Sequence, residues 1–185
     1  MENWLYRALR GRSVVFSKDI AEKTTTLTYG LDVARGIAAL VGKEEAKGEA
    51  FHITSSESIQ WNDVLEIYLD VMEHHMGICP KVILTEKSYK LDFSARKYQV
   101  IYDRLYNRCF DNSKISHFVD VNTFWIPTNG LRSCLETFLN QPKFRAINFG
   151  DEAIFDRIAG ERTSWNEIPT FKQKVKYNLY KYVIR

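Results

Sequence analysis

Between Trp61 and His75, apolar side chains recur every three or four residues, at Trp61, Val64, Leu65, Tyr68, Leu69 and Met72. That spacing is one face of an α-helix. Ser58 or Gln60 can cap its start, and Gly77 closes it. A second pattern predicts a helix from Asp32, with Val33, Ala34, Ile37, Ala38 and Val41 as its apolar face and Gly42 as its stop. Leu131, Cys134, Leu135, Phe138 and Leu139 define a third helix, ended by Gln141-Pro142. Shorter helical patterns start at Trp4, at Asp111, near Asp151 to Ile158, and after Pro169 to the end, and Lys87 to Asp103 is weakly helical.

Strand signals are few and short. Ser13 to Phe16 and Lys81 to Thr85 are candidates. Ala50, Phe51, Ile53 and Thr54 form a compact apolar run of the kind buried on both faces of a parallel sheet. The prediction is therefore an α/β class lobe, mostly helical, with a few short strands.

Composition narrows the function classes. With 45% apolar and 26% charged residues over 185 positions, the chain has an ordinary globular balance. No apolar run approaches a bilayer span and no secretory leader pattern opens the chain, so a cytoplasmic location and no membrane partner are expected. Cys79, Cys109 and Cys134 are odd in number and widely spaced, which predicts reduced, half-buried thiols rather than a disulfide framework or a zinc site. A formal charge of +3 does not by itself imply nucleic acid. Of the histidines, His74 and His75 are adjacent and cannot chelate one ion as an i, i+4 pair can, while His52 and His117 read as hydrogen-bonded structural groups.

Three ordered stretches, LTYGLDVARG, GEAFHITSSESIQWNDV and FDNSKI, together resemble the back half of the NAD(P)-dependent epimerase/dehydratase family. These are extended short-chain dehydrogenases that act on sugars carried by nucleotides. The resemblance implies that residues 1–140 are a substrate-binding lobe, with 141–185 a helical extension packed on it. It implies that Ala50 to Thr54 joins a parallel Rossmann-type sheet belonging to a cofactor-binding half found elsewhere. NAD or NADP is implied for the intact enzyme. The nine glycines are too dispersed to cradle a pyrophosphate, so no cofactor is expected on this chain alone.

Site candidates follow from the same motifs. Asn112, Ser113 and Lys114 of FDNSKI are expected at a helix start, able to offer donors to phosphate or sugar hydroxyls. Arg104 and Arg108 are the nearest candidates for a diphosphate clamp, because a guanidinium fork suits phosphate. Asp32 and Asp111 are read as structural residues that fix helix starts. The arginine that many relatives carry just before Asp-Val-Ala is absent, and Thr24, Thr25 and Thr26 stand there instead. A Tyr-x-x-x-Lys pattern, Tyr177 to Lys181, matches the family's catalytic pair in type but falls after the lobe rather than before it. A chain with 10 tyrosines and 14 lysines meets that pattern about once by chance. No catalytic residue is therefore assigned.

The expected function is the substrate-binding part of a sugar-nucleotide epimerase or dehydratase, inactive alone. Its expected partners are a nucleotide-sugar or similar carbohydrate and a separate cofactor-binding half, or a second copy through the orphaned sheet edge. The alternative is a non-catalytic binding module. It would use the basic C-terminal helix, where Phe171, Val175, Leu179 and Tyr182 align and Lys172, Lys174, Lys176, Lys181 and Arg185 meet no carboxylate, to engage an acidic partner or nucleic acid. Packing of that apolar face on the chain's own domain is the preferred account of the pattern.

Overall fold

The computed structural model describes residues 2–77, 79–88 and 97–184. The described residues are mostly helical, with four short strands. Helix α1 (Glu2–Ala8) leads into strand β1 (Val14–Ser17), the one-turn helix α2 (Lys18–Ala21), strand β2 (Thr24–Thr25) and helix α3 (Gly30–Leu40). Strand β3 (Ile59–Gln60), helix α4 (Trp61–Met76) and strand β4 (Val82–Thr85) follow. Helix α5 (Lys97–Gln99) widens into a π turn over Val100–Arg104 and is followed by α6 (Ser113–Ser116), α7 (Pro127–Asn140), α8 (Phe149–Ala159) and α9 (Phe171–Asn178). Of the helix expected over Lys87 to Asp103, residues 89–96 lie outside the described residues, as does Arg185.

Helix α4 forms where its periodicity predicts. The Asp63 carboxylate accepts the Gln60 amide at 3.2 Å at its start, and Gly77 ends it at φ 74°, a left-handed conformation that a side chain resists. Its inner face, Trp61, Val64, Ile67, Val71 and Met72, packs with Leu5 and Ala8 of α1, Val14 of β1, Ile20 of α2, and Leu135 and Leu139 of α7. Burial of each such large side chain contributes about 1.5–3 kcal/mol. Strands β1 and β4 pair in parallel, Val14 opposite Val82 through Ser17 opposite Thr85, so the chain between them must cross over. Antiparallel β2 and β3 clip Thr24 and Thr25 to Gln60 and Ile59.

Four expectations are corrected. Ala50 to Thr54 enters no ladder; instead Phe51 and Ile53 pack into a separate apolar cluster with Ile115, Val121 and Phe124. No described strand lies beside it to take up its backbone groups. Helix α3 then packs by its small and polar side rather than its apolar one. Gly36 admits Ile53 so closely that an added Cβ would sit 2.4 Å from Cγ2, and Asp32 is buried beside it, while Ile37 and Val41 are 54% and 74% exposed. At the C-terminus, α9 packs through Tyr177, against Ile168 and Phe149 of a further cluster, and leaves Phe171, Val175, Leu179 and Tyr182 in solvent. The three cysteines are free, as expected, but exposed rather than half-buried.

Among the described residues, no helix is long and apolar enough to cross a membrane.

Candidate functional site

A cavity of about 150 Å³ opens where α1, β1 and α4 meet the Val100–Arg104 turn. Trp4 and Arg7 reach it from α1, Phe16 from β1, Trp61 and Tyr68 from α4, and Arg104 from the π turn. Each wall follows from local structure. Trp4 and Arg7 share a helix face three residues apart, and Trp61 stands at the first position of α4, where the β2–β3 clip fixes the entry of the chain.

Two features mark the cavity wall. The indole Nε1 groups of Trp4 and Trp61 are buried, and neither has a hydrogen-bond partner among the described residues. A buried donor left unpaired costs about 1–3 kcal/mol, and both indoles belong to residues of the cavity wall, although their N–H groups are closed off from it. The Arg104 guanidinium lies 5.2 Å from the Trp61 ring centroid, a cation–π distance. Tyr68, edge-on to Trp4 at 5.4 Å, has its phenol pushed up to about 12, mainly by burial, so it serves as a proton donor and not a base at neutral pH.

Of the substrate-binding candidates read from the sequence, Arg104 alone lines this cavity. Arg108 turns elsewhere: its guanidinium meets Asp103 at 2.5 Å and donates to Thr25 Oγ1 at 2.7 Å. The FDNSKI donors are engaged within the chain. Asn112 Nδ2 donates to the Thr54 carbonyl at 2.9 Å and to Ser56 Oγ at 3.1 Å, pinning the unpaired Ala50 to Thr54 segment at its end. Ser113 gives its amide and hydroxyl to Asp111, whose carboxyl is thereby held below the usual carboxylate range, first by the amide. Lys114 pairs with Glu49 and lies over the Phe51 ring. Asp32, in the first turn of α3, accepts the Trp125 amide at 2.8 Å and Arg35 Nη1 at 3.0 Å, tying α3 to a loop 93 residues away.

Next to the cavity lies a second polar cluster at the start of α8, where the sequence predicts only a short helix near Asp151 to Ile158 and gives no sign that Asp151 and Glu152 are turned inward. Both are buried. Arg7 Nη1 reaches Glu152 at 3.1 Å and Asp156 at 2.8 Å, Nη2 reaches Glu161 at 2.8 Å, and Nε donates to the Ser13 carbonyl at 2.8 Å. Burial raises Glu152 to about 7 against the pull of Arg7 and Arg12. At Asp156 burial also pushes upward, but hydrogen bonds from Tyr177, Arg7 and Thr163 outweigh it and hold the carboxyl low.

Tyr177 and Lys181 belong to this cluster. The Tyr177 hydroxyl donates to Asp156 Oδ2 at 2.6 Å and accepts the Thr163 amide at 3.1 Å, with Lys181 Nζ 3.4 Å away. A tyrosine base needs a depressed pKa. Burial and the bond to Asp156 raise this one, and burial lowers Lys181. The pair braces α9 against α8.

The residues present do not fit a dinucleotide. The glycines with positive φ, Gly11, Gly42, Gly48, Gly77 and Gly160, stand singly at turns and helix ends, and none is grouped at a helix start. Among the described residues no cluster of three or more histidine, cysteine, aspartate or glutamate side chains could hold a metal ion. Compared with known proteins, the chain matches no family model, no curated protein and no solved structure.

Proposed function

We propose that this chain is the substrate-facing lobe of an NAD(P)-dependent sugar-nucleotide epimerase or dehydratase, and that part of the nucleotide-sugar occupies the cavity beside Arg104. The observation that carries the reading is a cavity in which the Arg104 guanidinium lies against the Trp61 ring, with the rings of Trp4 and Tyr68 in the same wall. The aromatic wall suits the face of a base or sugar ring, and a diphosphate is the natural partner of the guanidinium fork. The solvent-facing stripe of α3, beside a segment with no partner strand, supports docking on a separate cofactor-binding fold. In the intact enzyme the nicotinamide would accept and return the hydride. This chain's residues bind and orient the substrate.

Titration of the full chain with UDP-glucose and dTDP-glucose, followed by tryptophan fluorescence, tests the reading. Saturable binding of either sugar nucleotide is expected, with Arg104→Ala weakening it about tenfold or more, the equivalent of about 1.4 kcal/mol. NADH is expected to give no saturable signal. Absence of binding by both sugar nucleotides, or equal binding by the Arg104→Ala protein, overturns the proposal.

A further inference from the structure

The outward face of the C-terminal helix carries an inference independent of the cavity. Helix α9 continues through a π turn to Val183, and Phe171, Val175, Leu179 and Tyr182 recur along it at spacings of four, four and three. This stripe is open to solvent, with Phe171 79% and Tyr182 62% exposed. The opposite side is fixed to the protein through Tyr177 and Tyr180. Lysines flank the stripe: Lys172 is exposed, Lys174 lies over the exposed Trp165 ring at 5.3 Å, and Lys176 donates to Asn148 Oδ1 at 3.0 Å. From Phe171 to Ile184 there is no carboxylate.

We infer that this face docks on an anionic lipid surface, the helix lying in the plane of the headgroups with its stripe turned inward. An apolar stripe bordered by lysines is the pattern that gains from both parts of such an interface, acyl chains and negative headgroups. Other occupants satisfy only half of it. A second copy would bring lysines against lysines. Nucleic acid phosphates would answer the lysines and leave Val175 and Leu179 without reward. An acidic groove on another protein would have to close around a helix whose far side is already packed, whereas a planar surface meets no such obstacle. The expectation of no membrane partner rested on the lack of a spanning segment, which this mode does not require.

Co-sedimentation of the full chain with vesicles tests the assignment, with phosphatidylcholine alone and phosphatidylcholine mixed with phosphatidylserine as the two surfaces. Binding to the mixed vesicles only is expected, weakened by added salt. The double variant Phe171→Ser/Leu179→Ser should lower the partition coefficient at least about tenfold, with its helical circular dichroism and melting curve unchanged. Lys172→Glu/Lys174→Glu should lower it as well. The inference fails if the mixed vesicles bring down no protein, if neutral vesicles bind equally, or if the serine variant binds as the parent does. It also fails if polyglutamate captures the chain while vesicles do not.

Discussion

Two sites share helix α1 and treat their polar groups in opposite ways. Arg7, 1% exposed, finds an oxygen for each of its three nitrogens, among them two buried carboxylates and a backbone carbonyl. Three residues earlier Trp4, and across the cavity Trp61 of α4, keep indole donors buried with no partner among the described residues. A polar group that is buried and satisfied holds a structure together. A polar group that is buried and unsatisfied leaves a cost in the fold of about 1–3 kcal/mol. The contrast separates the joint from the cavity wall three residues apart on one short helix, and it can be broken by substitution at either.

The largest effect belongs to the joint. Arg7→Met leaves Glu152 and Asp156 buried without their shared counter-ion, and removing one partner of a buried ion pair costs about 3–5 kcal/mol. Urea unfolding should register that loss. A cost below about 1 kcal/mol would put Arg7 among ordinary surface charges and dissolve the comparison.

Next comes Glu152, fully buried, with a folded-state pKa of about 7 against 4.5 for an unperturbed group. A raised carboxyl pKa means that the folded state holds its proton more tightly than the unfolded one. The contribution is therefore fully present below pH 4.5 and is lost as pH rises toward 7. The shift corresponds to about 3 kcal/mol. Chemical denaturation across that window should show the parent losing stability relative to Glu152→Gln as pH rises. Parallel pH profiles for the two proteins would show that Glu152 is ionised in the fold throughout.

The joint was invisible in the sequence for a physical reason. Arg7 and Glu152 lie 145 residues apart, and two carboxylates at a helix start are already accounted for by the helix dipole. Local signals fared better. The recurrence of Trp61, Val64 and Met72, bounded by Gln60 and Gly77, located α4, while Asp111, one residue before the N-cap Asn112, accepts the Ser113 amide. Periodicity identified the stripes on α3 and α9 too, but a stripe states only that a face is apolar and not what covers it. Both turned out to face solvent because Asp32 and Tyr177 anchor the opposite sides through long-range hydrogen bonds. The parallel pairing of β1 with β4 is likewise non-local, set by the crossover and by no short motif. As for the cavity, Trp61 was legible as core, while the missing partner of its N–H has no counterpart in residue spacing.

Tyr177→Phe probes the joint more gently. The change removes the hydroxyl that donates to Asp156 and accepts from Thr163, while the ring remains packed among Phe149 and Ile168. Loss of a buried, charge-assisted hydrogen bond costs about 1.5–3 kcal/mol. The same substitution should leave sugar-nucleotide titrations unchanged, because Tyr177 lies outside the cavity wall. A lost binding signal with unchanged melting would reverse the assignment and return the Tyr177–Lys181 pair to the chemistry.

The smallest effect is expected at Lys114, which the motif reading offered as a substrate donor. Its ammonium pairs with Glu49 at a site where both side chains are about half exposed, and it rests over Phe51. Pairs of that kind contribute about 0–1 kcal/mol, so Lys114→Ala should move the melting temperature little. Sugar-nucleotide affinity should also hold, since Lys114 does not line the cavity that Arg104 enters. Solvent already satisfies an exposed ammonium whether or not Glu49 is near, so the pair can be removed without leaving a buried charge behind. A tenfold loss of affinity in Lys114→Ala, with Arg104→Ala unaffected, would move the receptor from the face of α1 to the start of α6.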